Sequence, residues 1–180
     1  MTRNLPPFHV RQLAVTLLVL VAIVLTSCRA PTLETTPNLD LLVDTDWVAS
    51  HLGDDPVRIV DMRPVDDYTQ GHIPGAVQLD LTAVRTITDG VRGQVAPPET
   101  VEAVLGRLGI DADTTVVIYD ADTGIDAARL FWTLEYYGHQ DVRLLNGGWG
   151  AWQRIGKETS TELPMLMPKT APWQQSWRQG

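Results

Sequence analysis

The chain has 180 residues, a single cysteine and a formal charge of −8. One cysteine excludes a disulfide framework, and an acidic balance argues against nucleic acid and against electrostatic adhesion to anionic lipid. The length suits one domain of ordinary size once the N-terminal segment is set aside.

That segment is distinctive. Arg3 and Arg11 are the only charged side chains before a run of almost pure Leu, Val, Ala and Ile from Leu13 to Leu25, followed by Thr26, Ser27 and Cys28. A basic flank, a short apolar run and small residues before a cut site read as an export signal. The run is too short to cross a bilayer comfortably, which takes roughly 20 residues. Leu25-Thr26-Ser27-Cys28 resembles a bacterial lipobox. The resemblance implies cleavage before Cys28, acylation of its sulfur, and a bacterial cell-envelope protein anchored by lipid at a periplasmic or extracytoplasmic membrane face. Loss of residues 1–27 removes Arg3 and Arg11 and no acid, moving the formal charge from −8 to −10. Residues 28–38, Pro- and Thr-rich without apolar periodicity, read as a tether.

From there α and β signals alternate. Leu41-Leu42-Val43 is a short apolar run, and Asp44 or Thr45 can cap a helix carrying Trp47, Val48 and Leu52. Val57 to Val60 is β-branched and ends at Asp61, the pattern of a buried strand. Pro64 can open a helix that stops by Gly71. His72-Ile73-Pro74-Gly75 reads as a turn, and Gly75 to Leu79 as a strand. Thr86 to Pro98 reads as a long polar loop before a helix with Val101, Val104, Leu105 and Leu108 on one face. Thr115 to Tyr119 is the clearest buried strand. Ala127 to Tyr137 is expected to be a helix with Leu130, Phe131 and Leu134 inward, and Gly138 suits its C-cap. Val142 to Leu145 is a last strand and Gly147 to Arg154 a short last helix. Residues 157–180 have no period and read as an irregular tail or the start of an interdomain linker.

Near-continuous apolar strands separated by helices imply an α/β domain over residues 39–156. Its central sheet is mostly parallel, has about five strands and is covered on both faces. Ligands in such sheets sit at the C-terminal ends of strands, which points to the loop Asp120, Ala121, Asp122, Thr123, Gly124, Ile125 and Asp126. Asp61 and Arg63 at a strand end can form a hydrogen-bonded ion pair, and Gly147-Gly148 permits close approach of the last helix. His72 reads as a turn-stabilising side chain. His51 and His139, at helix ends, read as surface residues, and Trp132, Trp149 and Trp152 as packing groups.

Two stretches resemble the rhodanese (sulfurtransferase) family. The first runs from Ile59 through Asp61-Met62-Arg63-Pro64 to Gly71-His72-Ile73-Pro74-Gly75-Ala76. The second runs from Val116 through the helix Ala127 to Trp132 and Tyr136-Tyr137-Gly138-His139 to Asn146-Gly147-Gly148-Trp149. This second stretch is similar to the N-terminal, non-catalytic half of tandem thiosulfate or 3-mercaptopyruvate sulfurtransferases. The resemblance implies a three-layer rhodanese-like fold in which Asp61, Arg63, His72, Pro74 and Gly75 are structural motif positions. In catalytic members a cysteine follows the strand matching Thr115–Tyr119, inside a nest of backbone N–H donors that stabilises its thiolate and persulfide. Here that position is Asp120. A carboxylate cannot hold sulfane sulfur as a persulfide, and three acids in one loop repel anionic donors.

The sequence therefore leads to a catalytically silent, lipid-anchored binding or scaffold module with no catalytic residue retained, no cofactor and no metal. Its partners are the membrane and a protein or a separately encoded catalytic rhodanese domain. The second expectation is the front half of a split tandem sulfurtransferase, with Arg63 or Arg129 facing the catalytic half. A third, weaker one is an aspartate loop that binds Mg2+ or Ca2+.

Overall fold

The structure, a computed structural model, describes residues 41–169. The segment read as an export signal with Cys28, the stretch read as a tether and the end of the tail lie outside the described residues. No described helix is long and apolar enough to cross a membrane.

Five strands form one sheet: β1 (Leu42–Val43), β2 (Val57–Asp61), β3 (Val77–Gln78), β6 (Thr115–Tyr119) and β7 (Val142–Leu145). The order is β1-β7-β6-β2-β3, and every neighbouring pair is parallel. β6 lies central, in register with β2 from Val57↔Thr115 to Asp61↔Tyr119. Parallel neighbours need crossovers, which contain α1 (Thr45–Ser50), α2 (Val65–Gln70), α3 (Pro98–Arg107) and α4 (Ile125–Tyr136), while α5 (Gly148–Arg154) follows the last strand. The α/β reading of the sequence is therefore realised as a three-layer domain.

Strand alternation divides the core in two. From β6, Val116 and Ile118 point to the face covered by Leu105 of α3 and by Leu130 and Leu134 of α4. Val117 and Tyr119 point to the other face, with Val48, Ile73 and Trp152. The expected caps are present: Asp44 Oδ1 accepts the Trp47 N–H at 2.7 Å, and Gly138 takes φ +83° beyond the end of α4.

Three expectations are corrected. The stretch read as a polar loop contains an antiparallel hairpin, β4 (Arg85–Thr88) and β5 (Val91–Val95), closed by Asp89 and Gly90 at φ +53° and +77°. Asp-Gly between β-branched runs is a legible signal for it, since both central residues of a tight hairpin turn take positive φ. His139 is no surface residue. It is 4% exposed and its Nε2–H donates to the Thr114 carbonyl at 2.8 Å. His51 is half-buried, stacked on Trp47 at 3.9 Å.

Beyond α5 the chain is irregular but packed. His72 and Ser160 exchange two backbone hydrogen bonds of 2.8 Å. Glu158 accepts from Trp152 Nε1 at 2.9 Å, and Leu166 packs on the core. Lys169 bonds Gly106 through its backbone and pairs with Asp111 at 3.1 Å.

Burial pushes the His139 imidazole below its ordinary value, and the Thr114 carbonyl and the Asp141 and Asp111 charges only partly oppose this. A depressed folded-state value means that His139 leaves stability intact above about pH 6.5, the unfolded value. Stability then falls as the pH drops below that point, because the unfolded chain takes up the proton first. Melting temperature should decline from pH 7 to 5, and His139→Gln should flatten that slope. An unchanged slope would refute the assignment.

Candidate functional site

β6 delivers Asp120 to the C-terminal edge of the sheet, between the ends of β2 and β7. Asp120 is only 6% exposed, and its carboxylate turns back into its own loop. Oδ1 accepts the Gly124 N–H at 2.9 Å, and Oδ2 accepts the N–H groups of Asp126 at 3.2 Å and Ala127 at 3.4 Å. Gly124, at φ +74°, makes the turn that brings these donors together at the start of α4. The positive end of that helix adds to the attraction.

α5 holds the loop from the other side. Trp149 N–H donates to the Asp120 carbonyl at 2.9 Å and Gly150 N–H to the Ala121 carbonyl at 2.8 Å. A Cβ on Gly148 would lie 2.6 Å from the Asp120 carbonyl oxygen, so only glycine permits this approach. Asp122, Thr123, Ile125 and Asp126 are exposed, as is Ala121. The three loop aspartates are thus not assembled together. Asp126 contributes its backbone N–H to the Asp120 cradle, while its own carboxylate makes no hydrogen bond or ion pair among the described residues. No three His, Cys, Asp or Glu side chains among the described residues stand close enough to hold a metal ion.

The chemical meaning is direct. A nest of backbone donors suits an anion, and here the anion is built into the chain. A saturated carboxylate is neither a soft nucleophile nor a carrier of sulfane sulfur.

Below the loop lies a buried ion pair. Asp61 is fully buried and Arg63 is 5% exposed. Arg63 Nη2 reaches Asp61 Oδ2 at 2.6 Å and Nε reaches Oδ1 at 3.0 Å. The same Nη2 donates to the Gly71 carbonyl at 2.7 Å, and the guanidinium lies 4.1 Å from the Trp149 ring. Burial disfavours the Arg63 cation, but the Asp61 hydrogen bond and charge outweigh it and the guanidinium is pushed up. Tyr119 Oη donates to Asp61 at 2.5 Å and accepts from the Ile73 N–H at 3.3 Å. Burial, then the Asp61 carboxylate, pushes the Tyr119 phenol far up, so it remains a donor.

The turn expectations hold. Ala76 N–H closes the Ile73-Pro74-Gly75 turn on the Ile73 carbonyl at 2.9 Å, with Gly75 at φ +76°. His72 is fully buried and stacked on Tyr68 at 3.9 Å. Its Nδ1 lies 2.9 Å from the Tyr68 carbonyl and its Nε2 3.1 Å from that of Glu162.

Sequence reasoning misses other site residues. Trp132 is 46% exposed, correcting its reading as a core group. It stacks on Tyr136 at 5.3 Å and under the Arg129 guanidinium at 4.9 Å, while Arg129 Nη2 donates to the Gly93 carbonyl. With Arg85, Ile125 and Asp126, the residues Gly93, Arg129 and Trp132 line a groove between the hairpin and α4. Nothing local in the sequence marks it, because the hairpin that forms one wall reads as a loop.

Removing one partner of the buried pair strands the other. Arg63→Met should cost about 3–5 kcal/mol in denaturant unfolding. Arg63→Met combined with Asp61→Leu should recover part of that loss. A single-variant cost below about 1 kcal/mol, the level of an exposed pair, would contradict the account.

The comparisons agree with this geometry. The rhodanese-like domain family matches residues 44–155. The sulfur carrier protein TtuD of Thermus thermophilus is 41% identical over 130 residues, covering 72% of this chain and 45% of the relative. The 3-mercaptopyruvate sulfurtransferase of Escherichia coli is 33% identical over 135 residues, covering 68% and 48%. Among solved structures, SseA from Escherichia coli superposes with a TM-score of 0.65 at 30% identity, covering 74% of this chain and 54% of that one. The 3-mercaptopyruvate sulfurtransferase from Leishmania major gives 0.62 at 26% identity, covering 73% and 36%. The chain spans about half the length of the curated relatives it matches. With its parallel sheet, its Asp61–Arg63 pair and its donor nest after β6, the chain belongs to the rhodanese-like domain family.

Proposed function

We propose that this chain is a catalytically silent rhodanese-like module that binds a partner and is held at an extracytoplasmic membrane face through lipid on Cys28. The observation that carries the silent reading is Asp120. Its carboxylate accepts three backbone N–H groups from the loop that would otherwise stabilise a reactive anion. The only cysteine of the chain is Cys28, far from that loop in sequence. The lipobox-like Leu25 to Cys28 supports anchoring, and two or more acyl chains at about 0.8 kcal/mol per buried CH2 make it durable.

A second reading rests on the share of the relatives that the chain matches. The matched relatives are about twice as long as the aligned region. Their names speak of sulfur carriage and of sulfurtransferase activity, and this chain would then be the N-terminal half of a split sulfurtransferase. A separately encoded rhodanese domain with a cysteine would be its partner.

Incubated with thiosulfate and cyanide, the purified chain should form no thiocyanate above the uncatalysed rate; turnover by it alone would sink the silent reading. In the Cys28→Ser background, Asp120→Cys should place a thiol in the donor cradle. Its alkylation by iodoacetamide should then show a midpoint below the ordinary thiol value of about 8.5. A midpoint at or above that value would show that the loop is no anion cradle. Metabolic labelling with an alkynyl fatty acid should mark the wild-type chain and not Cys28→Ser. Equal labelling of the two would remove the anchor.

A further inference from the structure

We propose that the groove between the β4–β5 hairpin and α4 binds a small organic anion with an apolar body, a carboxylate or sulfonate of about the size of a bicyclic aromatic. The proposal names the ligand class for the binding-module reading, and rests on it for biological meaning. The groove has a volume of about 640 Å3, within the range of about 300–1,000 Å3 usual for small-molecule sites. It flanks the start of α4, where the sheet presents its C-terminal edge.

Charge makes the first argument. Arg85 is exposed, and its guanidinium makes neither hydrogen bond nor ion pair among the described residues. The acid that acts on it, Asp80, already accepts the Thr82 N–H and hydroxyl, each at 2.7 Å. Arg129 donates to the Gly93 carbonyl and stacks on Trp132, it too makes no salt bridge among the described residues, and its Nε is buried with no hydrogen-bond partner. Two guanidinium groups that make no salt bridge among the described residues share one groove with a single lining carboxylate, Asp126, in a chain whose formal charge is −8. Guanidinium forks match carboxylate and sulfonate oxygens geometrically. Asp126, on the same rim, would repel a second negative charge and so favours a singly charged ligand.

Surface chemistry makes the second argument. Ile125 is 71% exposed and Trp132 presents nearly half its surface, with Leu81 beneath them. Apolar side chains gathered beside unpaired cations are costly to leave in water and suit a flat apolar body lying on the Trp132 ring. The Asp120 cradle takes no part, so the proposed binding involves no sulfur chemistry.

The test is isothermal titration of the full chain, in detergent with a matched detergent blank, using naphthoate and its neutral analogue naphthalenemethanol. Naphthoate should saturate below about 10 mM, and naphthalenemethanol should bind at least about tenfold more weakly. Arg85→Gln, which breaks no side-chain hydrogen bond or salt bridge among the described residues, should weaken naphthoate about fivefold or more, and Trp132→Ala should weaken both probes. Raising sodium chloride should weaken naphthoate alone. Equal binding of the two probes, an unchanged Arg85→Gln, or no saturation overturns the proposal. Thiocyanate formation is measured separately, so an active chain would refute the silent reading while leaving the naphthoate result to stand or fall by itself.

Discussion

The carboxylate of Asp61 is the point on which this fold is hung. It sits at the last residue of β2 and is reached by the Arg63 guanidinium, the Arg63 backbone N–H and the Tyr119 hydroxyl. Through Arg63 it fixes the Gly71 carbonyl at the end of α2, and through Tyr119 it fixes the backbone of Ile73. One buried charge therefore sets β2, β6, the end of α2 and the tight turn in a common frame. A buried ion pair is often no better for stability than an apolar replacement. Its value here is register: the strand end carrying Asp120 cannot slide against β2 while Tyr119 is tied to Asp61.

That register positions the Asp120 loop. β6 ends where the loop must begin, Gly148 lets α5 come into contact with the Asp120 carbonyl, and the first N–H groups of α4 converge on the Asp120 side chain. The loop has the geometry of an anion cradle, and the group that fills it is the Asp120 carboxylate. A carboxylate in that place contributes stability where a thiolate would contribute reactivity.

Much of this is legible in the sequence, for identifiable reasons. Strands such as Thr115–Tyr119 announce themselves because burial on both faces demands continuous apolar residues. Asp61, Arg63, Pro74, Gly75 and the Gly147-Gly148 pair can be placed because each answers a local demand of charge pairing, turn or close approach. The failures have an opposite origin. His139 is polar at a helix end, and only the tertiary fold supplies the Thr114 carbonyl that makes its burial tolerable. Trp132 looks internal because its neighbours Leu130 and Leu134 are, and a helix position differing by two residues faces another way. The hairpin is marked only by its Asp89-Gly90 turn, because its solvated strands carry too little apolar alternation to add to that signal. Asp126 stands in the loop that the sequence singles out, and the fold uses its N–H in the Asp120 cradle while its carboxylate stays free of hydrogen bonds among the described residues.

The segment after α5 redraws the boundary of the folding unit. Family similarity ends at residue 155, yet His72 draws two backbone partners from Ser160, and Leu166 covers part of the core. A fragment cut where the similarity ends would leave the His72 amide and carbonyl without those partners and bare the apolar seat of Leu166. The evolutionary module is thus shorter than the cooperative one. Any recombinant or fused version of this domain should therefore keep the returning strap through Lys169, whose backbone bonds Gly106 and whose side chain pairs with Asp111.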